Sequence, residues 1–252
     1  MITLFFTASE FLFAQKPLEN LKKDIVLEVK GQEGTNGLAV AFNPKANVYY
    51  SVFAGNENFS LEVHDLSGKS IYSTKIGADL RGFWYNEKKN QLQGILYDNQ
   101  GSFSFDLTSE GLPQTIKISP FFYGMATNDI ACANHDKIYF LNINGISVFK
   151  QNKNKIIKSV YPEIIEKLGI YVFNVNGFIH TGVKGYEIGI YHFYDQKLYL
   201  IDEATGKTSG EILIDLEENI DNLKQFNISF CNQRLFLFDT KNRTWNGFKI
   251  FD

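Results

Sequence analysis

Asn36, Arg81, Asn128 and Asp129 each stand beside a short alternating apolar run, in the segments "GQEGTNG", "GADLRG" and "ATND". Amide, guanidinium and carboxylate groups held at strand ends can converge on a polar ligand. Arg81 precedes Gly-Phe-Trp-Tyr, so a cation and an aromatic patch can share one lip of a cavity. The plainer alternative is that Arg81 pairs with Asp79 or Asp129 and ties two loops together. Paired carboxylates would carry a different chemistry. Glycoside hydrolysis needs two of them about 5–9.5 Å apart, and Glu33, Asp79, Asp129 and Glu187 are the candidates. Their local sequence does not distinguish them from solvated loop acids, and two tryptophans are few for stacking sugars. No catalytic residue is assigned.

The four histidines make no metal pattern. His64, at a strand end, and His135, in a turn, are expected to face solvent. His180 in "GFIHTG" and His192 in "IYHFY" could approach each other, but no third ligand stands at a suggestive spacing. Cys132 and Cys231 form neither a disulfide framework nor a Cys-x-x-Cys pair, and their apolar surroundings predict buried free thiols. The chain has no Gly-x-Gly-x-x-Gly, Walker loop, Gly-x-Ser-x-Gly or His-Glu-x-x-His. "DNQG" and "NING" lack the acidic density of a calcium loop. No cofactor and no metal are expected.

The elements that must position these groups are β-strands. The 252 residues include 23 Phe and 13 Tyr, types that favour pleated, half-buried surfaces. A formal net charge of -3 argues against nucleic acid as a partner. No stretch approaches the roughly 18 apolar residues of a membrane helix. At the N-terminus, Leu12-Phe13-Ala14 followed by Gln15 reads as a signal peptide over 1–14, cleaved after Ala14, although no Lys or Arg lies near Met1 and Glu10 interrupts the apolar run. Export to the periplasm or the extracellular space is then expected.

Two markers recur along the chain. "LEVHDLSGKSIYSTKI" from Leu61 and "LYLIDEATGKTSGEIL" from Leu198 each close a small-residue turn on Gly-Lys; Gly68 and Gly206 lie 138 positions apart, three units of 46. Apolar runs also end in Asn and a turn at Asn43, Asn86, Asn134 and Asn232, with separations of 43, 48 and 98. A period in the mid-forties is that of a four-stranded propeller blade, whereas a β-sandwich needs no such period. In the first unit the strands are Gly37 to Phe42, Val48 to Phe53, Leu61 to Asp65 and Ser70 to Ile76. Later units run from about Leu80 to Ile118, Tyr123 to Val160 and Ile170 to Ile214. The last unit, from Asn227, is one strand short, and "DIVLEV" at Asp24 to Val29 is an orphan strand able to complete it. "YPEIIEKLG" from Tyr161 reads as a short connecting helix and "LEENIDNLK" near Leu216 as a possible second.

The Asp-x-x-Gly-Lys turn at Asp65 to Lys69, with its looser copy at Asp202 to Lys207, resembles the bacterial YVTN and quinoprotein-dehydrogenase-like propellers, which belong with the WD-repeat-like folds. No Trp-Asp dipeptide closes a strand, and neither Trp84 nor Trp245 recurs at a fixed position. The expectation is an all-β, five-bladed β-propeller over 24–252, monomeric and closed by an N-terminal strand pairing with the last blade; six blades result if the fourth unit is two. In such a ring the loops feeding the inner strands share one channel mouth, where Asn36, Arg81, Asn128 and Asp129 would meet a protein, small-molecule or glycan ligand. The alternative is a glycosidase- or lactonase-like hydrolase using channel carboxylates.

Overall fold

Every described strand but one pairs with its chain neighbour in an antiparallel meander, and the exception closes the molecule. The computed structural model describes residues 16–29, 36–55, 58–97, 100–120, 131–142, 145–168, 175–192, 195–214 and 227–251. Strand β1 (Pro17–Glu28) is followed by blade 1, made of β2 (Asn36–Asn43), β3 (Val48–Ala54), β4 (Ser60–His64) and β5 (Ser70–Lys75). Blade 2 comprises β6 (Leu80–Asn86), β7 (Gln91–Leu96), β8 (Ser102–Leu107) and β9 (Pro113–Ser119). Blade 3 comprises β10 (Ala131–Asn134), β11 (Lys137–Asn142), β12 (Gly145–Lys150) and β13 (Lys155–Val160). A six-residue helix, α1 (Glu163–Leu168), leads to blade 4, with β14 (Val175–His180), β15 (Ile188–His192), β16 (Lys197–Ile201) and β17 (Thr208–Leu213). Blade 5 takes β18 (Ile228–Cys231), β19 (Arg234–Asp239) and β20 (Thr244–Phe251) from one end of the chain and β1 from the other, in the order β1-β20-β19-β18.

Five four-stranded sheets make a five-bladed β-propeller, so the expected blade count and closure are both found. The first blade's expected strands fall within one residue of those observed. The closing strand is longer than expected, reaching back to Pro17, with register shifts at Pro17/Lys22 and Lys23/Ile25. The expected helix at Leu216 lies outside the described residues.

The repeated sequence markers have physical causes. Asn43 ends β2; its Oδ1 accepts from Lys45 N (2.9 Å) and Ala46 N (3.3 Å), and its Nδ2 donates to Tyr50 Oη (3.2 Å). Asn86 ends β6 and acts alike: Oδ1 accepts from Lys89 N (3.1 Å) and Nδ2 donates to Gln93 Oε1 (2.9 Å). One side chain thus caps the turn and ties the first strand to the second, as Asn does in turns. The Gly-Lys echo is the turn between the third and outer strands. Asp65 Oδ1 accepts from Ser67 N (2.8 Å) and Lys69 N (3.1 Å), and Asp202 Oδ1 accepts from Thr205 N (2.7 Å). Gly68 has φ +88, and a Cβ there would fall 1.8 Å from the Val26 carbonyl oxygen of β1. Both the left-handed backbone and the close approach between blades therefore demand glycine.

Burial is greatest in the two middle strands of a blade and lower in the inner strand, which lines the channel. Strands β3 and β4 are buried along their length, whereas β5 is mostly exposed. The core is divided among the blade seams: Leu61, Val63 and Phe83 between blades 1 and 2, for example, or Phe236, Phe238 and Trp245 between blades 5 and 1. Each fully buried side chain of that size contributes roughly 1.5–3 kcal/mol.

Candidate functional site

Three inner strands open with a polar residue followed by glycine: Asn36-Gly37, Arg81-Gly82 and Asn176-Gly177. At each, the ladder to the second strand slips, at Gly37/Ala39, Leu80/Gly82 and Val175/Gly177. The glycines allow neighbouring blades to touch, since a Cβ would lie 2.4 Å from Trp245 at Gly37 and 2.3 Å from Ile228 at Gly177. This third repeated marker was present in the sequence, but a single glycine is too common to be singled out without the register. Asn36 and Arg81 lie near the same, mouth end of adjacent inner strands, but by register Arg81 corresponds to Leu38, and Asn36 to Asp79.

Arg81 is held there by its neighbours. Its Nη1 donates to Asp79 Oδ1 (2.7 Å) and to the Leu80 carbonyl (2.8 Å), and its guanidinium carbon lies 4.0 Å from the Tyr97 ring centroid. Asp79 Oδ1 also accepts from Gly55 N (3.1 Å), so the pair fastens the start of blade 2 to the turn after β3 of blade 1. The plainer expectation for Arg81, an ion pair that ties loops together, is what the geometry shows. Asn128 and Asp129 lie outside the described residues, as does Glu33.

Below the mouth, the five inner strands enclose a cavity of about 160 Å³. Its walls are largely apolar, with Val40, Trp84 and Cys132 among them. Ser229 bridges blade 5 to blade 1, accepting from Val40 N (2.9 Å) and donating to the Val40 carbonyl (3.0 Å). Cys132 and Cys231 are free thiols, and burial pushes both well above the ordinary thiol range. A thiol shifted that way is a poor nucleophile. A shallower hollow of about 620 Å³ opens at the far end, around Lys45, Glu87 and His135. A further cavity of about 250 Å³ lies between blades 2 and 3.

Among the described residues the densest ionic cluster joins blades 3 and 4 and was not foreseen. Glu203, in the turn before β17, lies 3.6 Å from His180 Nε2, accepts from Tyr139 Oη at 2.9 Å and pairs with Lys137 Nζ at 3.2 Å. Its own N–H donates to Glu187 Oε2 (3.1 Å). The His180 imidazole, then the Tyr139 hydroxyl and the Lys137 ammonium, hold the Glu203 carboxyl down at about 2 despite its burial. Only the strand register could have exposed this cluster, because its members are separated by up to 66 residues.

Two histidine expectations and one glutamate expectation need correction. His64 is buried rather than solvent-facing, with Ser51 Oγ 3.0 Å from its Nε2, because β4 is covered on both faces. His180 and His192 do not approach each other: they sit at opposite ends of the β14–β15 ladder, and His192 Nδ1 lies 3.0 Å from Asp195. Glu187 stands at the same end as His180, away from the mouth, so it cannot pair with Asp79 across the channel. His135 is exposed as expected. Among the described residues, no group of three or more His, Cys, Asp or Glu is placed to hold a metal ion. No helix among them is long and apolar enough to cross a membrane.

No family model and no curated protein matches the chain. Solved structures do. Myxococcus xanthus glutaminyl cyclase superposes with a TM-score of 0.59 at 13% identity, covering 92% of this chain and 97% of that one. The β-propeller domain of Cps50 (Swd1) from Myceliophteria thermophila gives 0.49 at 10% identity over 88% and 84%. At such identities the likeness is one of fold, and chemistry has to be argued from the residues of this chain.

Proposed function

We propose that this protein is an exported binding propeller that recognises a ligand or protein partner at its channel mouth, where Asn36 and Arg81, with Asn128 and Asp129, form the recognition surface. Within the propellers, the Asp65 to Lys69 turn supports kinship with the YVTN group. Export rests on Ala14-Gln15, and N-terminal sequencing of the exported chain should then begin at Gln15.

The observation that carries binding over catalysis is how the carboxylates among the described residues are engaged. Glu203 is held by Tyr139 and Lys137 across the seam between blades 3 and 4. Asp79 is engaged by Arg81 and Asp24 by Arg234. These carboxylates fasten strands or neighbouring blades together instead of facing one another across a substrate.

A thermal-shift screen of the chain from Gln15 onward tests the reading, using divalent metals, a chelator, oligosaccharides and lactones. A ligand that binds only the folded state raises the melting temperature by mass action. The expected result is a rise of several degrees with one class, abolished by Arg81→Ala and by Asp129→Ala. Turnover of a lactone or aryl glycoside that disappears in Asp129→Ala would move the protein to the hydrolase reading.

A further inference from the structure

One blade departs from the pattern that the other four obey. In those four, on the face each blade turns to its successor, the second and third strands carry apolar residues, with a glycine at one of the four places in blade 4 (Gly189) and in blade 5 (Gly247) and a polar side chain at none. Blade 1 presents Tyr50 and Val52 opposite Val63 and Leu61, and blade 3 presents Tyr139 and Leu141 opposite Val148 and Ile146. Blade 4 uses Tyr191, Leu198 and Leu200, and blade 5 uses Phe236, Phe238 and Trp245; all of these are buried in the seams. In blade 2 the same places hold Gln93 and Ile95 opposite Ser104 and Ser102. Among the described residues this seam also has the smallest apolar cluster, and it contains the cavity of about 250 Å³. A repeat that breaks its own rule at one place marks a functional site more often than an accident.

The polar wall is built, not merely wet. Asn86 Nδ2 donates to Gln93 Oε1 (2.9 Å), Gln93 Nε2 to Gln91 Oε1 (3.1 Å), and Gln91 Nε2 to Asp106 Oδ1 (2.6 Å), while Lys117 pairs with Asp106. A carboxylate accepts only, so Asp106 sets the direction of the whole relay and with it the orientation of both amides. Each glutamine spends one N–H and one lone pair in the relay and keeps one of each. A donor beside an acceptor is what a hydroxyl, itself both donor and acceptor, requires. Ser102 and Ser104 add two more hydroxyl groups to this wall. The facing wall, from blade 3, is apolar, with Ile138, Phe140 and Phe149. Trp84 closes the inner end, buried, its indole Nε1 donating to no acceptor among the described residues. Lys89 is the one charged side chain among the described residues that line the cleft.

We propose that the cleft between blades 2 and 3 binds a neutral sugar ring, its hydroxyl edge on Gln91, Gln93, Ser102 and Ser104 and its C–H face on Phe140 and Phe149. A pyranose has one polar edge and two apolar faces, which is the division of the two walls. Ligand clefts usually start near 300 Å³, so the space suits one ring and not a longer chain. The site is separate from the channel mouth, and its failure would leave the mouth reading untouched.

Isothermal titration with glucose, galactose, mannose, N-acetylglucosamine, maltotriose and glucuronate tests it, with tryptophan fluorescence as a second readout. Trp84 borders the cleft while Trp245 is buried in blade 5, so a fluorescence change reports the cleft. At least one neutral sugar should bind saturably below about 50 mM. Gln93→Leu with Ser104→Val, which copies the pattern of the other blades, should weaken binding about tenfold or more with an unchanged or raised melting temperature. Lys197→Ala, an exposed site in blade 4, should bind sugar as the parent does. Tighter binding of maltotriose than of glucose assigns the site to a glycan end, and equal binding to a free monosaccharide. Should the double variant fail to fold, Ser104→Ala and Gln91→Ala must each weaken binding severalfold. No heat or fluorescence change with any neutral sugar, binding of glucuronate alone, or undiminished binding by the variants overturns the proposal.

Discussion

His64 shows how far a residue's chemistry depends on what surrounds it. Its neighbours in sequence, Val63 and Asp65, suggest a strand end in water, yet β4 is sandwiched and the ring is buried. Burial lowers its pKa from 6.5 to about 4. Between those values the unfolded chain binds a proton that the folded chain refuses, so this contribution to stability is whole above about pH 6.5. It is lost as pH falls towards 4, at about 1.4 kcal/mol per unit, for a total on the order of 3 kcal/mol. Urea unfolding at a series of pH values should therefore show the His64→Gln variant flatter than the parent between pH 6.5 and 4; parallel curves would mean that burial does not govern this histidine. Legibility at this scale was uneven. Arg81 and Asp79 are two residues apart and their pairing could be read from spacing, whereas Glu203 and Lys137 meet only because two blades abut. The glutamine relay was hidden for a different reason: Gln91 and Gln93 alternate with Leu92 as in any half-exposed strand, and only comparison with the other blades makes them unusual.

Among the elements, β1 has the greatest effect for its length. It pairs with β20 from Pro17↔Phe251 to Glu28↔Thr244, covering an edge that would otherwise present unpaired backbone groups. A chain beginning at Val29 should elute from size exclusion as dimers and larger species, with a lowered melting temperature; a stable monomer would show that β20 needs no cover. Arg234 holds Asp24 with Nε at 3.0 Å and Nη2 at 2.8 Å, but both side chains are partly exposed, so Arg234→Ala alone should cost no more than about 1 kcal/mol. The register, with its backbone hydrogen bonds, carries the closure. The first two inner strands were easy to read because their apolar run ends in an Asn that caps the turn, at Asn43 and Asn86. The outer strands were harder. "PLENLKK" lacks apolar alternation because an outer strand faces solvent along much of its length, and its membership in β1 could not be seen from pattern alone.

The whole molecule is a ring in which every blade has two neighbours, and cooperativity should follow. In an open repeat array, terminal units fray because they lack one interface. Here the two tryptophans report on blades 2 and 5, so Trp84→Phe and Trp245→Phe each leave one probe. Urea titrations of the two variants should give superimposable normalised transitions once scaled to each variant's own circular dichroism midpoint; a fluorescence midpoint that departs from the dichroism would reveal a blade that opens alone. The mid-forties period was enough to foresee this ring, since it is set by four strands and their turns and not by any one residue. The loops that lead into the inner strands carry no such repetition. Closure also sets a clock on biosynthesis. Asp24 must wait for Arg234, 210 residues later, and at 5–20 residues per second that delay is on the order of ten to forty seconds. Throughout it, β1 is a nascent strand with no partner, at risk of capture by other emerging chains. The charges that obscured it in the sequence, among them Lys22, Lys23, Asp24 and Glu28, are what keep it from adhering to them.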